Sequence, residues 1–194
     1  MNIGIFIYNG AEELDFAGPF QVLTQWARQV ADEREIFVFT VAQATDPVRC
    51  SHGLRVVPDY ASNDCPPLDL LLFPGGQVNQ FLEDEQLHGW IRGVRDSGAL
   101  MTSVCTGAHV YASAGVLENR PATTWYGALD SLVEIDPTIE LRRDDRFVDS
   151  GEVVTSAGVS AGIDMALHLV ARLDSRERAE EVRRYMQYET PVSV

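Results

Sequence analysis

Leu100-Met101-Thr102-Ser103-Val104-Cys105-Thr106-Gly107-Ala108-His109-Val110 decides the reading of this chain. Leu100 to Val104 is a strand-length run, and Thr106 to Ala114 has the composition of a helix that Gly115 closes as a C-cap. A strand that passes into a helix through one tight residue has the topology of a nucleophile elbow. Such a turn aims a reactive side chain out of the sheet on a strained backbone, so Cys105 is expected at φ > 0. The amino end of the helix carries partial positive charge, which favours a thiolate. The same string also suits a buried structural thiol, because free cysteine is among the most buried residue types.

Outward from this string, short apolar runs alternate with helix-length stretches. Ile3 to Tyr8 reads as a strand ended by Asn9-Gly10, and Phe16 to Val30 as a helix with Pro19 in its first turn. Strands are expected at Ile36 to Val41, Leu54 to Val57 and Leu70 to Phe73, and helices at Phe81 to Val94, Ala161 to Leu173 and Ser175 to Tyr188. Phe147 to Asp149 and Val153 to Thr155 flank Ser150-Gly151 as a hairpin. The alternation implies an α/β fold with a mostly parallel sheet that is apolar on both faces. With no repeat or linker, residues 1–194 read as one domain.

Chemistry in such sheets lies beyond the carboxyl ends of the strands. Three segments sit there: the turn after Tyr8, Pro74-Gly75-Gly76, and Cys105. Consecutive glycines let backbone N–H groups turn toward an anion, although a tight strand-to-helix turn explains Gly75 and Gly76 equally. Asp15 stands between Leu14 and Phe16, after Glu12 and Glu13. A carboxylate drawn toward the core there acquires a raised pKa and can exchange protons with a thiol, whereas a solvated acidic loop is the plainer reading.

Composition removes several chemistries. The 194 residues carry 15 basic and 29 acidic groups, a net charge of −14 that repels nucleic acid and anionic membranes. All 15 basic residues are arginine, which excludes Schiff-base chemistry, a phosphate-loop lysine and a Ser–Lys dyad. His52, His88, His109 and His168 have no metal-ligand spacing, so no metal is expected. His109 lies one helical turn past Cys105, where a polar packing role is preferred over contact with the sulfur. Cys50, Cys65 and Cys105 form no CxxC pair, and so sparse a count fits a reducing cytoplasm, with Cys50 and Cys65 inert. No apolar run is long enough to span a bilayer.

Several strings together resemble the ThiJ/PfpI superfamily: Leu14-Asp15-Phe16-Ala17-Gly18-Pro19, Phe73-Pro74-Gly75-Gly76, Ser103-Val104-Cys105-Thr106-Gly107-Ala108, Gly115-Val116-Leu117, Arg120-Pro121-Ala122-Thr123-Thr124 and Ala157-Gly158-Val159-Ser160-Ala161-Gly162-Ile163-Asp164. The resemblance covers Ile3 to about Leu173, with the strings in order and compatibly spaced. The resemblance implies a flavodoxin-like three-layer sandwich, shared with class I glutamine amidotransferase domains. Details resemble the isocyanide hydratase branch: Asp15 where many relatives carry Glu, Thr106 where a protease-like branch carries His, and the ending Gln187-Tyr188-Glu189-Thr190-Pro191. The core is also similar to the sensor domain of AraC-type regulators, whose helix-turn-helix domain this length does not accommodate. Trp125 departs from the pattern, standing where many relatives have His, so a His-assisted hydrolase mechanism is not expected.

Carried over, the resemblance makes Cys105 the nucleophile and Asp15 its acid/base partner. It places the N–H groups of Gly76 and Thr106, beside Gly75, around an anion, with the Thr106 hydroxyl reaching Asp15 or a water. The implied reaction adds water to an isocyanide through a Cys105 thioimidate, without metal or organic cofactor. The implied partners are a small-molecule electrophile and a second copy of the chain in a homodimer. Glyoxalase-like or hydrolase activity on small electrophiles, or an oxidative-stress sensor without turnover, are the alternatives.

Overall fold

The structure is a computed structural model, and it describes residues 1–189. In chain order it comprises β1 (Asn2–Phe6), α1 (Glu13–Gln29), β2 (Phe37–Ala42), β3 (Val48–Arg49), β4 (Arg55–Val56), β5 (Tyr60–Ala61), β6 (Leu70–Phe73), α2 (Glu85–Asp96), β7 (Leu100–Val104) and α3 (Gly107–Ser113). β8 (Pro121–Ala122), α4 (Leu129–Ile135), β9 (Glu140–Leu141), β10 (Phe147–Asp149), β11 (Val153–Ser156), α5 (Ala161–Leu173) and α6 (Arg176–Tyr185) follow. Of the expected tail, Thr190 and Pro191 lie outside the described residues.

Seven strands form one sheet in the order β10-β11-β7-β6-β1-β2-β5. All its pairings are parallel except β10 with β11, which is the expected hairpin. All four residues of β6 are buried. Successive strand residues face opposite ways, so the sheet is covered on both faces, which makes the three-layer α/β arrangement expected of a flavodoxin-like fold. α1 packs on α5 and α5 on α6, while α3 packs on α2 and α4. Within the core Phe6 and Phe73 stack with centroids 4.7 Å apart.

Register sets the site. Phe73 pairs with Ser103, and Val104 with Ser156, so β6, β7 and β11 end at one edge. The segments that follow them, Pro74-Gly75-Gly76, Cys105-Thr106 and Ala157-Gly158-Val159, therefore converge.

Three local expectations need correction. α1 starts at Glu13, not Phe16, so Asp15 stands in its first helical turn, with its N–H donating to the Glu12 carbonyl at 3.2 Å. The helix expected from Phe81 to Val94 is split: a short 3-10 turn covers Val78–Phe81, and α2 begins only where the Asp84 carboxylate caps the Leu87 N–H at 3.0 Å. The run from Leu54 to Val57 contracts to β4, which pairs with β3 outside the main sheet. By contrast Ser175 caps α6 as expected, its Oγ accepting from the Arg178 N–H at 3.1 Å.

Candidate active site

Cys105 lies between β7 and α3 with φ of 57°, the left-handed region that a side chain with a Cβ rarely adopts. Two contacts hold it there. Its N–H is shared between the carbonyls of Ser156 and Ala157, at 3.2 Å each, and its own carbonyl accepts the Thr124 hydroxyl at 2.7 Å. The strain is therefore fixed from β11 on one side and from the segment after β8 on the other.

Asp15 is fully buried. Its Oδ2 accepts the Gly75 N–H at 2.9 Å, while Oδ1 has no partner of hydrogen-bonding geometry. The Cys105 thiol and the Val159 N–H stand close enough to the carboxyl to act on its proton affinity. Val159 is itself strained, with φ of 53° at a β-branched residue. Gly75 is obligatory by contact. A Cβ at this position would lie 2.7 Å from the Thr106 N and Oγ1 and 2.8 Å from the Cys105 Cβ. Behind it the buried Tyr8 hydroxyl donates to the Gly75 carbonyl at 2.7 Å and fixes the Pro-Gly-Gly turn.

Two assignments made from the resemblance change here. The Gly76 N–H does not stand open to an anion; it donates to Thr106 Oγ1 at 3.1 Å. The Thr106 hydroxyl correspondingly pairs with Gly76 rather than Asp15, and it donates back to the Gly76 carbonyl at 3.3 Å. The Thr106 N–H favours negative charge on Cys105, and the Thr106 hydroxyl does so once its single proton turns from the Gly76 carbonyl to sulfur.

The electrostatics also differ from expectation. Burial, and then the neighbouring Asp15 charge, push the Cys105 thiol up to about 12, and the Thr106 donors at the amino end of α3 do not outweigh them. Burial pushes Asp15 up to about 7; the Gly75 N–H opposes this and the Glu12 charge adds to it. At neutral pH the resting pair is thus a thiol beside a carboxyl poised to exchange its proton, and the two titrate as a pair. Burial raises Cys50 to about 11 and also raises the half-buried Cys65. Thiolate fraction therefore does not single out Cys105; a base within reach does.

His109 turns away from the sulfur, its Nε2 pairing with Ser131 Oγ at 2.9 Å. Glu12, Glu13 and His52 come together with ligand-type atoms within 4.8 Å of one another. The Glu13 carboxylate is already satisfied there, accepting the His52 N–H at 2.8 Å, its Nδ1 at 2.9 Å and the Leu54 N–H at 3.3 Å. Sequence reasoning missed Thr124, Val159 and Tyr8. Only Thr124 and Val159 carried a signal, as members of the quoted strings. Among the described residues no helix is long and apolar enough to cross a membrane.

The DJ-1/PfpI family profile matches residues 1–172. The chain belongs to the DJ-1/PfpI family. The six strings that resembled ThiJ/PfpI are thereby borne out. The chain is 35% identical over 190 residues to an isonitrile hydratase of Pseudomonas putida, covering 97% of this chain and 78% of the relative. It is 27% identical over 175 residues to a glutathione-independent glyoxalase of Caenorhabditis elegans, covering 89% and 88%. A solved ThiJ/PfpI family protein from Pseudomonas syringae superposes with a TM-score of 0.85 at 27% identity, covering 100% of this chain and 77% of the other.

Proposed function

We propose that this chain is a cysteine-dependent isocyanide hydratase. The observation that carries the reading is a strained Cys105 beside a fully buried Asp15 whose proton affinity lies near neutrality. The 35% identity to an isonitrile hydratase supports it. Ionised Asp15 takes the thiol proton as sulfur attacks the terminal carbon of R–N≡C, and then delivers that proton to the same carbon. The product is the thioimidate R–N=CH–S–Cys105. Asp15 next removes a proton from water while hydroxide adds to the carbon, and it passes this proton to nitrogen. Finally the C–S bond breaks with its electrons returning to sulfur, and the hydroxyl proton returns to Asp15, leaving R–NH–CHO. Water is the only co-substrate consumed. The Thr106 N–H stabilises the sulfur anion at entry and exit, joined by the Thr106 hydroxyl as its proton turns from the Gly76 carbonyl to sulfur.

A second reading is kept because of the 27% identity to a glyoxalase: the same sulfur adds to the aldehyde carbon of an α-oxoaldehyde. Incubation with an aryl isocyanide and with methylglyoxal, wild type beside Cys105→Ser, tests both. Formamide formation by wild type alone is the expected result. Turnover of methylglyoxal alone replaces the hydratase reading with the glyoxalase one. Turnover of neither leaves a thiol without catalysis and overturns both. The proposal extends to a homodimer, expected in light scattering at twice the 21.5 kDa chain mass.

A further inference from the structure

We infer that Trp125, with Tyr126 beside it, is the specificity-determining wall of this site and selects an electrophile bearing an aromatic substituent. The inference rests on Cys105 being the reacting thiol. Thr124, the preceding residue, donates its hydroxyl to the carbonyl of Cys105 itself. The pyrrole end of the Trp125 ring lies against Gly158, where a Cβ would stand 2.3 Å from Cδ1 and 3.2 Å from Cγ. Gly158 joins Ala157, whose carbonyl holds the Cys105 N–H at 3.2 Å, to Val159, whose N–H acts on Asp15. The indole thus rests on a loop that touches both members of the reacting pair.

The benzo end of the same ring lies against Gly127, where a Cβ would stand 2.5 Å from Cζ3 and 2.6 Å from Cη2. Two positions without side chains therefore let the ring lie against the backbone at each end, which limits its freedom to turn. An aromatic surface with limited freedom loses less conformational entropy on binding. Trp125 nevertheless remains partly open. Tyr126 lies against it, with centroids 4.9 Å apart and planes tilted by 54°, and is 79% exposed. Such a pair presents π surface to whatever occupies the site. An indole neither donates nor accepts a proton near neutral pH, so its contribution at position 125 is a contact surface rather than acid–base chemistry. Aromatic pairs prefer offset or edge-to-face contact and gain beyond simple burial, which corresponds to about a three- to tenfold preference for an aryl over a methyl substituent.

The test separates this inference from the hydratase reading by measuring addition as well as turnover. The protein is treated with limiting N-phenylmaleimide or N-methylmaleimide, and labelling is followed peptide by peptide. In this reaction sulfur adds across the C=C bond and water supplies the proton. Cys65 in the same chain provides the reference ratio. The expected phenyl-to-methyl ratio at Cys105 is about three to ten times that at Cys65, falling to within twofold of it in Trp125→Ala. Tyr126→Ala, which alters an exposed side chain, lowers the ratio in the same direction without disturbing the fold. Phenyl against methyl isocyanide, compared by kcat/KM, shifts in parallel if the hydratase reading holds. No isocyanide turnover with the labelling preference intact sinks the hydratase reading and leaves this one standing. Equal ratios at Cys105 and Cys65, a ratio unchanged in a folded Trp125→Ala, or no labelling of Cys105 overturns the inference.

Discussion

Replacing Asp15 with Asn isolates the cost of placing a carboxylate in this core. In the folded protein Asp15 titrates near 7, against an ordinary value of 3.8, chiefly because burial penalises its charge. The unfolded chain titrates near the ordinary value. Between these two pH values the folded state holds a proton that the unfolded state has released, so stability falls as pH rises from about 4 and levels off once folded Asp15 ionises above about 7. A difference of about three units at about 1.4 kcal/mol each gives about 4 kcal/mol at pH 8, of which about 3 kcal/mol accrues above pH 4.5. Asparagine fits the same space and does not titrate. Urea unfolding of both proteins at pH 4.5, 6 and 8 measures the difference, in which titrating groups that do not interact with Asp15 cancel. The stability of Asp15→Asn relative to wild type is expected to rise by about 3 kcal/mol from pH 4.5 to 8. Turnover of the variant is expected to fall about 100- to 10,000-fold through loss of the proton carrier. A relative stability that is flat with pH, or that moves the other way, refutes the argument that the carboxylate is buried against its own charge.

The pH dependence of kcat/KM is expected to rise through about 7, because ionised Asp15 must take the thiol proton, and a profile flat from pH 5.5 to 8.5 contradicts that role. Glu12→Gln removes a charge that raises Asp15 and should move this rising limb to lower pH, as read from the same profile. Gly76→Ala places a Cβ 2.2 Å from the Gly10 carbonyl oxygen at φ of 120°; a loss of about 2–4 kcal/mol in urea unfolding is expected, and a loss below 0.5 kcal/mol speaks against that geometry. Thr124→Val removes the hydroxyl that holds the Cys105 carbonyl, with an expected loss of about 1–3 kcal/mol together with reduced turnover, measured by unfolding and isocyanide assays.

The sequence alone determined the layers and the place of the chemistry. Leu70 to Phe73 and Leu100 to Val104 keep their expected boundaries because short runs, wholly apolar in the first and mostly so in the second, end abruptly at Pro-Gly-Gly or at Cys-Thr-Gly. The left-handed turn at Cys105 was legible for the same local reason. β3, β5, β8 and β9 were not, because two-residue strands have no periodicity of their own and exist through long-range pairing.

Only the tertiary structure decided how the site works. Whether Cys105 rests as thiol or thiolate depends on the competition between desolvation, the Asp15 charge and the Thr106 donors, and desolvation is a property of what packs around the sulfur. The pairing of the Gly76 N–H with Thr106, and of the Gly75 N–H with Asp15, follows from three strand ends meeting in register. Val159 lies 144 positions from Asp15 along the chain and acts on it through a loop that β11 delivers to the same edge. Local propensity governs where strands and helices begin, whereas proton affinity and donor direction are set by neighbours brought together from distant segments.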